Sequence, residues 1–287
     1  MSLAAKTPGA VGAGAEHGAL ATGLAALAST RTTMLRVSGL AVGYGGEPVL
    51  EGIDLDVAAG EFATLIGPSG SGKTSILRVV TGLLEPLRGT VDLDVGVRDV
   101  GFLFQDDALL PWRTARQNVA LGLRIREVAP EAADERAEHW LKVLGLAGYG
   151  DRYPGQLSGG QRKRVAIAQV LALRPRLLLM DEPFAALDAI VRTRITQELL
   201  EWVERERLTV LLVTHDLEEA ISASDRVHVL GQGPRAAIRA SHRVGIPRPR
   251  RVLEARGHPS FGPLLKRLWD ELAAERSQAR STEAVTP

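Results

Sequence analysis

Cysteine is absent from the 287 residues of this chain, which excludes a disulfide framework and thiolate metal sites and fits a reducing compartment. Lysine is nearly absent too: it occurs only at positions 6, 73, 142, 163 and 266, so the basic residues are overwhelmingly Arg. Such a preference reflects genome bias more than function, and it makes the lysine kept at position 73 more telling. There is no long apolar run. The longest uncharged apolar stretch, Gly18 to Thr30, is too short and too rich in Gly and Ala to span a bilayer. There is no excess of either charge: the net charge of +1 creates no field that would draw the chain to nucleic acid or to an anionic membrane. What remains is 45% hydrophobic and 24% charged, ordinary for a soluble globular protein that can bury a full core in one or two domains.

The rest of the chain is organised around Gly67-Pro68-Ser69-Gly70-Ser71-Gly72-Lys73-Thr74. It follows the apolar run Phe62 to Ile66 and precedes Ser75-Ile76-Leu77-Arg78-Val79-Val80. A buried strand, a glycine-rich loop and an amphipathic helix in that order are what a phosphate-binding loop requires. The glycines allow a tight turn that aims successive N–H groups at a polyphosphate. Lys73 can reach the β- and γ-phosphates, and the Thr74 hydroxyl can ligate Mg²⁺. A glycine-rich turn with an incidental lysine would not need the flanking strand and helix.

Residues 1–33 are rich in Ala, Gly, Ser and Thr and carry no aromatic residue. A disordered N-terminal extension is the expectation, because such a segment cannot bury enough surface to offset its ordering entropy. No basic region leads into a strong apolar stretch, as a secretory signal would need. Translation starting at Met34 is one hypothesis, and a native peptide from residues 2–20 would sink it. Strand-like alternation begins at Met34 and resumes over Val49 to Val57, Glu61 to Ile66 and Gly89 to Leu93. Tyr44, in the turn Gly43 to Gly46, has a flat amphipathic ring suited to stacking on a base, although an isolated turn tyrosine is by itself only surface. The apolar run Val100 to Phe104 closes on Gln105, at a strand end where α/β folds collect ligand groups. From Thr114 to about Ala147 the pattern is helical with no strand signal, and Gly148 to Pro154 punctuates its end.

Leu157-Ser158-Gly159-Gly160-Gln161 opens a long helix running on through Arg162 to Leu171. Ser158 is a good N-cap, and two glycines expose the first N–H groups to an anion. A nucleotide site within one chain needs only one such device, so the second asks for a second nucleotide or a partner. Leu177 to Asp181-Glu182-Pro183 is a buried strand ending in paired carboxylates, hard to read as structural because unpaired buried charge is costly. After a phosphate loop, Asp181 sits where Mg²⁺ is held, usually through water, and Glu182 where a water attacking the γ-phosphate is oriented or deprotonated. Ala185 to Asp188 turns into the helix Ala189 to Glu206. Thr209 to Thr214 is one more buried strand, with His215 at its end, expected on the same sheet edge as Gln105 and Glu182. Phe261, Leu264, Leu265, Leu268 and Leu272 recur at helical spacing in a tail expected to pack on the domain.

Taken in order, these residues resemble the nucleotide-binding subunits of ATP-binding-cassette (ABC) transporters over residues 34–250. Tyr44 matches the A-loop, Gly67 to Thr74 with Ser75 the Walker A motif, and Gln105 the Q-loop. Leu157 to Gln161 matches the signature, Leu177 to Glu182 Walker B, Ala185 to Asp188 the D-loop, and His215 the switch. The tract Phe104 to Arg113 looks like the branch serving nitrate, sulfonate and taurine importers. The resemblance implies an α/β P-loop (RecA-like) ATPase core with an antiparallel β subdomain, a helical subdomain at about 106–159 and a helical tail at 251–287. It also implies head-to-tail homodimers that sandwich ATP, with Ser158, Gly159, Gly160 and Gln161 binding the nucleotide in trans and Ser158 and Gly160 touching the γ-phosphate. Thr74, Gln105 and Asp181 would hold Mg²⁺, Glu182 would be the general base and His215 the γ-phosphate sensor, with Tyr44 stacking on adenine. The implied partners are integral membrane permease subunits and, indirectly, a substrate-binding protein, which places the chain peripherally on the cytoplasmic face of the inner membrane. An exporter ATPase is the nearer rival. A repair or translation ATPase would carry a long coiled-coil insertion or duplicated cassettes, a P-loop kinase has no use for the signature, and a pure binding module has none for Glu182 and His215.

Overall fold

A computed structural model of the chain describes residues 32–45, 47–185 and 187–283, with side chains as far as residue 275. The disorder expected of residues 1–33 therefore concerns, up to position 31, residues outside the described ones, as does Ala186 of the D-loop. The first half contains β1 (Thr33–Tyr44), β2 (Glu47–Ala58), β3 (Phe62–Ile66), α1 (Lys73–Val80), β4 (Arg88–Leu93), β5 (Val100–Leu103), α2 (Ala115–Ile125) and α3 (Pro130–Val143). The second contains α4 (Gly159–Leu171), β6 (Leu177–Asp181), α5 (Ala189–Glu206), β7 (Thr209–Thr214), α6 (Leu217–Ala223), β8 (Arg226–Leu230), β9 (Ile238–Arg243), α7 (Val252–Ala255) and α8 (Phe261–Glu283).

Two sheets share these strands. In β2 the alternation is legible residue by residue: Ile53, Leu55 and Val57 are buried while Asp54 and Asp56 face water. That pattern suits a sheet with one wet face, and β2-β1-β4 is antiparallel. By contrast β3, β6 and β7 are buried at every residue, as continuous apolar runs must be when both faces are covered. They form a sheet of order β5-β6-β7-β3-β8-β9, parallel except for β9.

The two faces of this sheet feed different cores. Ala63, Leu65, Leu177, Leu179, Leu211 and Val213 pack with the antiparallel sheet and with Ile76 and Leu77 of α1. Phe62, Leu178, Met180, Val210 and Leu212 point the other way, into a cluster with α2, α3, α4 and α5. Each fully buried aliphatic side chain contributes about 1.5–3 kcal/mol relative to exposure. A one-residue slip would exchange the two faces, so the register is strongly held. A third cluster joins Ile66, Val227 and Val229 to Phe261 and Leu268, so the amphipathic tail helix packs on the sheet as its periodicity predicts.

Because β5, β6, β7 and β3 are adjacent and parallel, their C-terminal ends share one edge. That edge carries Gln105, Asp181 with Glu182, His215 and the loop opening at Gly67. Between residues 104 and 158 the described structure contains helices and no strand. Helix α6 and strands β8 and β9 escape the sequence reading. β8 alternates Arg226 and His228 with apolar residues, the pattern of a half-exposed strand, yet His228 is buried with Nδ1 at 2.7 Å from the Ser241 hydroxyl. Its ring meets its cross-strand partner on β9, and burial drives its pKa down to about 4.

Candidate nucleotide-binding and hydrolytic site

The loop after β3 is shaped by its glycines at two points. Gly72, the N-cap of α1, has φ 94° and lies so close to Leu50 that a Cβ would meet that side chain at 2.8 Å. A left-handed residue under a neighbouring strand admits only glycine here. Gly67 starts the loop against Leu230, whose carbonyl oxygen would stand 2.9 Å from an added Cβ. Ser69 and Gly70 form the exposed tip, and the Ser71 hydroxyl is buried without a hydrogen-bond partner. An orphaned buried hydroxyl in such a loop is a group held ready for a ligand oxygen.

Lys73 is buried, and its ammonium donates to the carbonyls of Gly67 at 2.9 Å and Pro68 at 2.8 Å. Burial lowers its pKa, against the pull of the Glu182 and Asp181 carboxylates. The Thr74 hydroxyl donates to Asp181 Oδ1 at 3.0 Å, tying the first turn of α1 to the end of β6. Burial raises the Asp181 pKa, and the neighbouring Glu182 charge adds to the rise. A hydroxyl and a carboxylate, both hard oxygen donors, stand together where added positive charge would be favourable, so the residues present fit Mg²⁺.

Glu182 follows Asp181 with φ 41°, a left-handed conformation uncommon for a residue with a side chain. Its N–H donates to the Val213 carbonyl of β7 at 2.8 Å, which holds this strained residue in place. The turn aims the carboxylate across the sheet edge, where Oε2 lies 3.0 Å from His215 Nδ1. The Tyr44 hydroxyl lies 3.2 Å from Ser75 Oγ, so its 57% exposed ring stands beside the start of α1. Tyr44, the loop 67–75, Asp181, Glu182 and His215 are thus linked to one another by direct bonds or chain continuity.

Two predicted groups stand apart from them. The Gln105 side chain is exposed and makes no hydrogen bond among the described residues, whereas its carbonyl accepts from Lys163 at 3.0 Å. Ser158 caps α4 in a reciprocal box, its hydroxyl accepting from the Gln161 N–H at 3.3 Å and Gln161 Oε1 accepting from the Ser158 N–H at 2.9 Å. A cavity of about 630 Å³ opens over Ser158, Gly159, Gly160 and Gln161, with Arg164 and Arg194 in its wall and no residue of the loop 67–75.

Sequence reasoning missed a set of residues behind His215. Asp216 caps α6 by accepting from the N–H groups of Glu218 and Glu219 at 3.0 and 3.1 Å. It also receives Arg192 of α5 at 2.9 Å, and Arg192 reaches back to the Leu187 carbonyl at 3.1 Å. Thr214 donates to the buried Glu219 at 2.5 Å, and burial pushes the Glu219 pKa up to about 7. An Asp immediately before an apolar helical run is a readable N-cap signal. Nothing local marks Arg192, whose partner lies 24 residues away.

A parallel sheet with a glycine-rich loop, a lysine and a strand-end carboxylate on one edge defines a P-loop nucleotide-binding protein. The family model for ABC transporters matches residues 50–185. An aliphatic sulfonates import ATP-binding protein from Paracoccus denitrificans is 43% identical over 232 residues, covering 81% of this chain and 90% of that protein. The chain belongs to the family of ABC transporter ATP-binding proteins. A bicarbonate transport ATP-binding protein from Synechocystis is also 43% identical, over 226 residues, but the match spans only 34% of that longer protein. An ATP-binding cassette solved as a dimer in a post-hydrolysis state with ADP and Pi superposes with a TM-score of 0.66 at 31% identity, covering 75% of this chain and all of that one.

Proposed function

We propose that this chain is the ATP-hydrolysing subunit of an importer for a small anion, working as a head-to-tail dimer beneath separate permease subunits. The observation that carries the reading is the 3.0 Å contact of Glu182 with His215 beside the Thr74–Asp181 pair. One strand edge thereby offers a base, a partner that orients it, a phosphate loop and oxygen donors for a cation.

Lys73 and the amides of Ser69 to Thr74 neutralise phosphate charge, and Tyr44 stacks on adenine. Thr74, Gln105 and, through water, Asp181 would hold Mg²⁺, which when bound offsets charge on the phosphate oxygens. Glu182 orients a water and takes its proton as the water oxygen bonds to the γ-phosphorus, while the bond to the β–γ bridging oxygen breaks to leave ADP and phosphate. His215, held on the same carboxylate, meets the γ-phosphate. Ser158, Gly159, Gly160 and Gln161 serve the nucleotide of a second copy. Two features support that assignment: their cavity excludes this chain's own loop, and a related cassette is dimeric with ADP and Pi.

No helix among the described residues is long and apolar enough to cross a membrane, and attachment is through the permease at the cytoplasmic face of the inner membrane. The docking surface lies near Gln105 to Trp112, where Trp112 is 70% exposed. Buried Asn118 stiffens this segment, accepting from the Leu110 N–H at 2.7 Å and donating to the carbonyls of Leu110, Arg113 and Thr114. Relatives named for sulfonate, bicarbonate and sulfate transport support a small anion as cargo, delivered by a substrate-binding protein. The test is uptake of labelled taurine, alkanesulfonates, nitrate and bicarbonate by cells lacking the gene. Loss of one of them, restored by the wild-type gene and not by Glu182→Gln, is the expected result. Unchanged uptake of all four would overturn the assignment of cargo.

A further inference from the structure

Among the described residues of this Arg-dominated chain two lysines, Lys73 and Lys163, are deeply buried, and they make the same kind of contact. Lys73 gathers two carbonyls of the phosphate loop. Lys163, on the second turn of α4, is 4% exposed and directs its ammonium at the Gln105 carbonyl at 3.0 Å, the Phe104 carbonyl at 3.5 Å and Asp107 Oδ1 at 3.1 Å. The other oxygen of Asp107 takes Arg162 Nε at 3.3 Å, and Arg162 Nη1 donates to the Leu157 carbonyl at 2.9 Å, one residue before the Ser158 cap. Acceptors converging on a single point suit a compact three-donor ammonium and not a planar guanidinium fork. Where nearly every other cation is Arg, a lysine at this point reflects geometry and not composition.

The consequence is a strap between two ligand-binding elements that are 53 residues apart in sequence, Gln105 and Ser158. Residues 104–107 have no ladder of their own, since β5 ends at Leu103. Their backbone position is held by α4, the helix whose N-terminus opens on the cavity at Ser158 to Gln161. We propose that Lys163 is a positioning residue: it seats the Gln105 loop on α4, so that the reach of Gln105 towards the metal and the placement of the second phosphate-binding end are set together. The inference rests on the reading above that Gln105 joins Thr74 and Asp181 around Mg²⁺. Because the Gln105 side chain has no bond of its own, the seat of its backbone decides where it can reach.

The test uses the full chain with Lys163→Met, which keeps length and removes all donors, and Lys163→Gln, which returns an amide with two. Amide hydrogen exchange is followed at residues 104–110 and 67–75, and ATPase is titrated with Mg²⁺. Lys163→Met should speed exchange at 104–110 and leave 67–75 alone, since the phosphate loop is untouched. The Mg²⁺ needed for half-maximal ATPase should rise by roughly tenfold or more, as for a lost outer-sphere partner. ATP binding in EDTA should stay at the wild-type value, and Lys163→Gln should recover most of both changes. If Lys163→Met does not fold, Asp107→Asn carries the test with the same signs and smaller shifts. A folded variant with wild-type Mg²⁺ dependence would overturn the inference, even with faster exchange, because the contact would then be only structural. A wild-type chain without ATPase activity would overturn the functional reading itself, and the inference with it.

Discussion

Helices α1 and α4 both open at glycine-rich N-termini that we propose bind phosphate, and the two are built in opposite ways. At α1 the cap is Gly72 with no side-chain bond, the loop carbonyls are gripped by a lysine, and the Asp181 carboxylate at the end of β6 stands against the first turn. At α4 the cap is a closed Ser158–Gln161 box, with Arg164 and Arg194 in the surrounding wall and no carboxylate pair. The first end is costly to assemble, with a buried lysine and a buried aspartate held off their ordinary pKa values. At the second, Ser158 and Gln161 satisfy each other's N–H groups and Gly159 and Gly160 stay open to the cavity. A charged end with its lysine and carboxylate in place is prepared for its own ligand; a capped, exposed end can wait for a ligand brought by another molecule.

The largest effect should come from removing the base at the first end. Glu182→Gln keeps an acceptor for His215 and loses the proton affinity, so the ATPase rate should fall by roughly 10²–10⁴-fold. ATP-bound dimer should accumulate on a sizing column, and an ATP-independent monomer would count against the mechanism. The comparison between the two ends can be broken more directly by mixing variants. Lys73→Ala and Ser158→Arg should each be inactive alone, whereas their mixture should regain activity, because one composite site of the heterodimer then has both ends intact. A mixture as inactive as its components would show that the two ends do not meet in trans.

Behind the first end, Glu219 offers a smaller effect with a definite sign. Its folded pKa, about 7 against an ordinary 4.5, is raised by burial. Its favourable share of stability is therefore complete below pH 4.5 and is lost as pH rises through 7. Glu219→Gln should remove that loss, so its unfolding free energy relative to wild type, read from denaturant melts, should climb between pH 5 and 8 by an amount on the order of 1 kcal/mol or more. A difference that stays flat across that range would place Glu219 in a more polar setting than its buried position beside Asp216 and Glu182 implies. Smallest of all should be the effect of Trp112→Ala on folding, within about 0.5 kcal/mol for an exposed side chain. Basal ATPase should persist while transport is lost, and a normal uptake rate would remove the docking assignment.

Much of this site was legible before folding because the informative groups are local strings. A strand, a glycine-rich loop and a helix in succession identify Gly67 to Ser75, and a buried strand running into paired acids identifies Asp181 and Glu182. Gln105 and His215 were legible as strand-end positions, since an apolar run closing on a polar residue marks its own terminus. Illegible were the pairs that only neighbouring elements create. Thr74 with Asp181 spans 107 residues, Arg192 with Asp216 spans 24, and Lys163 with Gln105 spans 58. The strands β8 and β9 were missed for a related reason: their alternating charges suit a surface, and only the packing of α6 and α8 against Val227 and Val229 shows which face is closed.

The sequence by itself determined the class of fold, the glycine-rich loop between strand and helix, the strand-end acids and the glycine-opened, serine-capped start of α4. Each follows from periodicity, capping or backbone chemistry within a dozen residues, where the physics is local. Only the tertiary structure decided that Glu182 faces His215, that Tyr44 leans on the start of α1, and that a lysine on α4 seats the Gln105 loop. Those depend on strand order in the sheet, which long-range burial selects and no local propensity records.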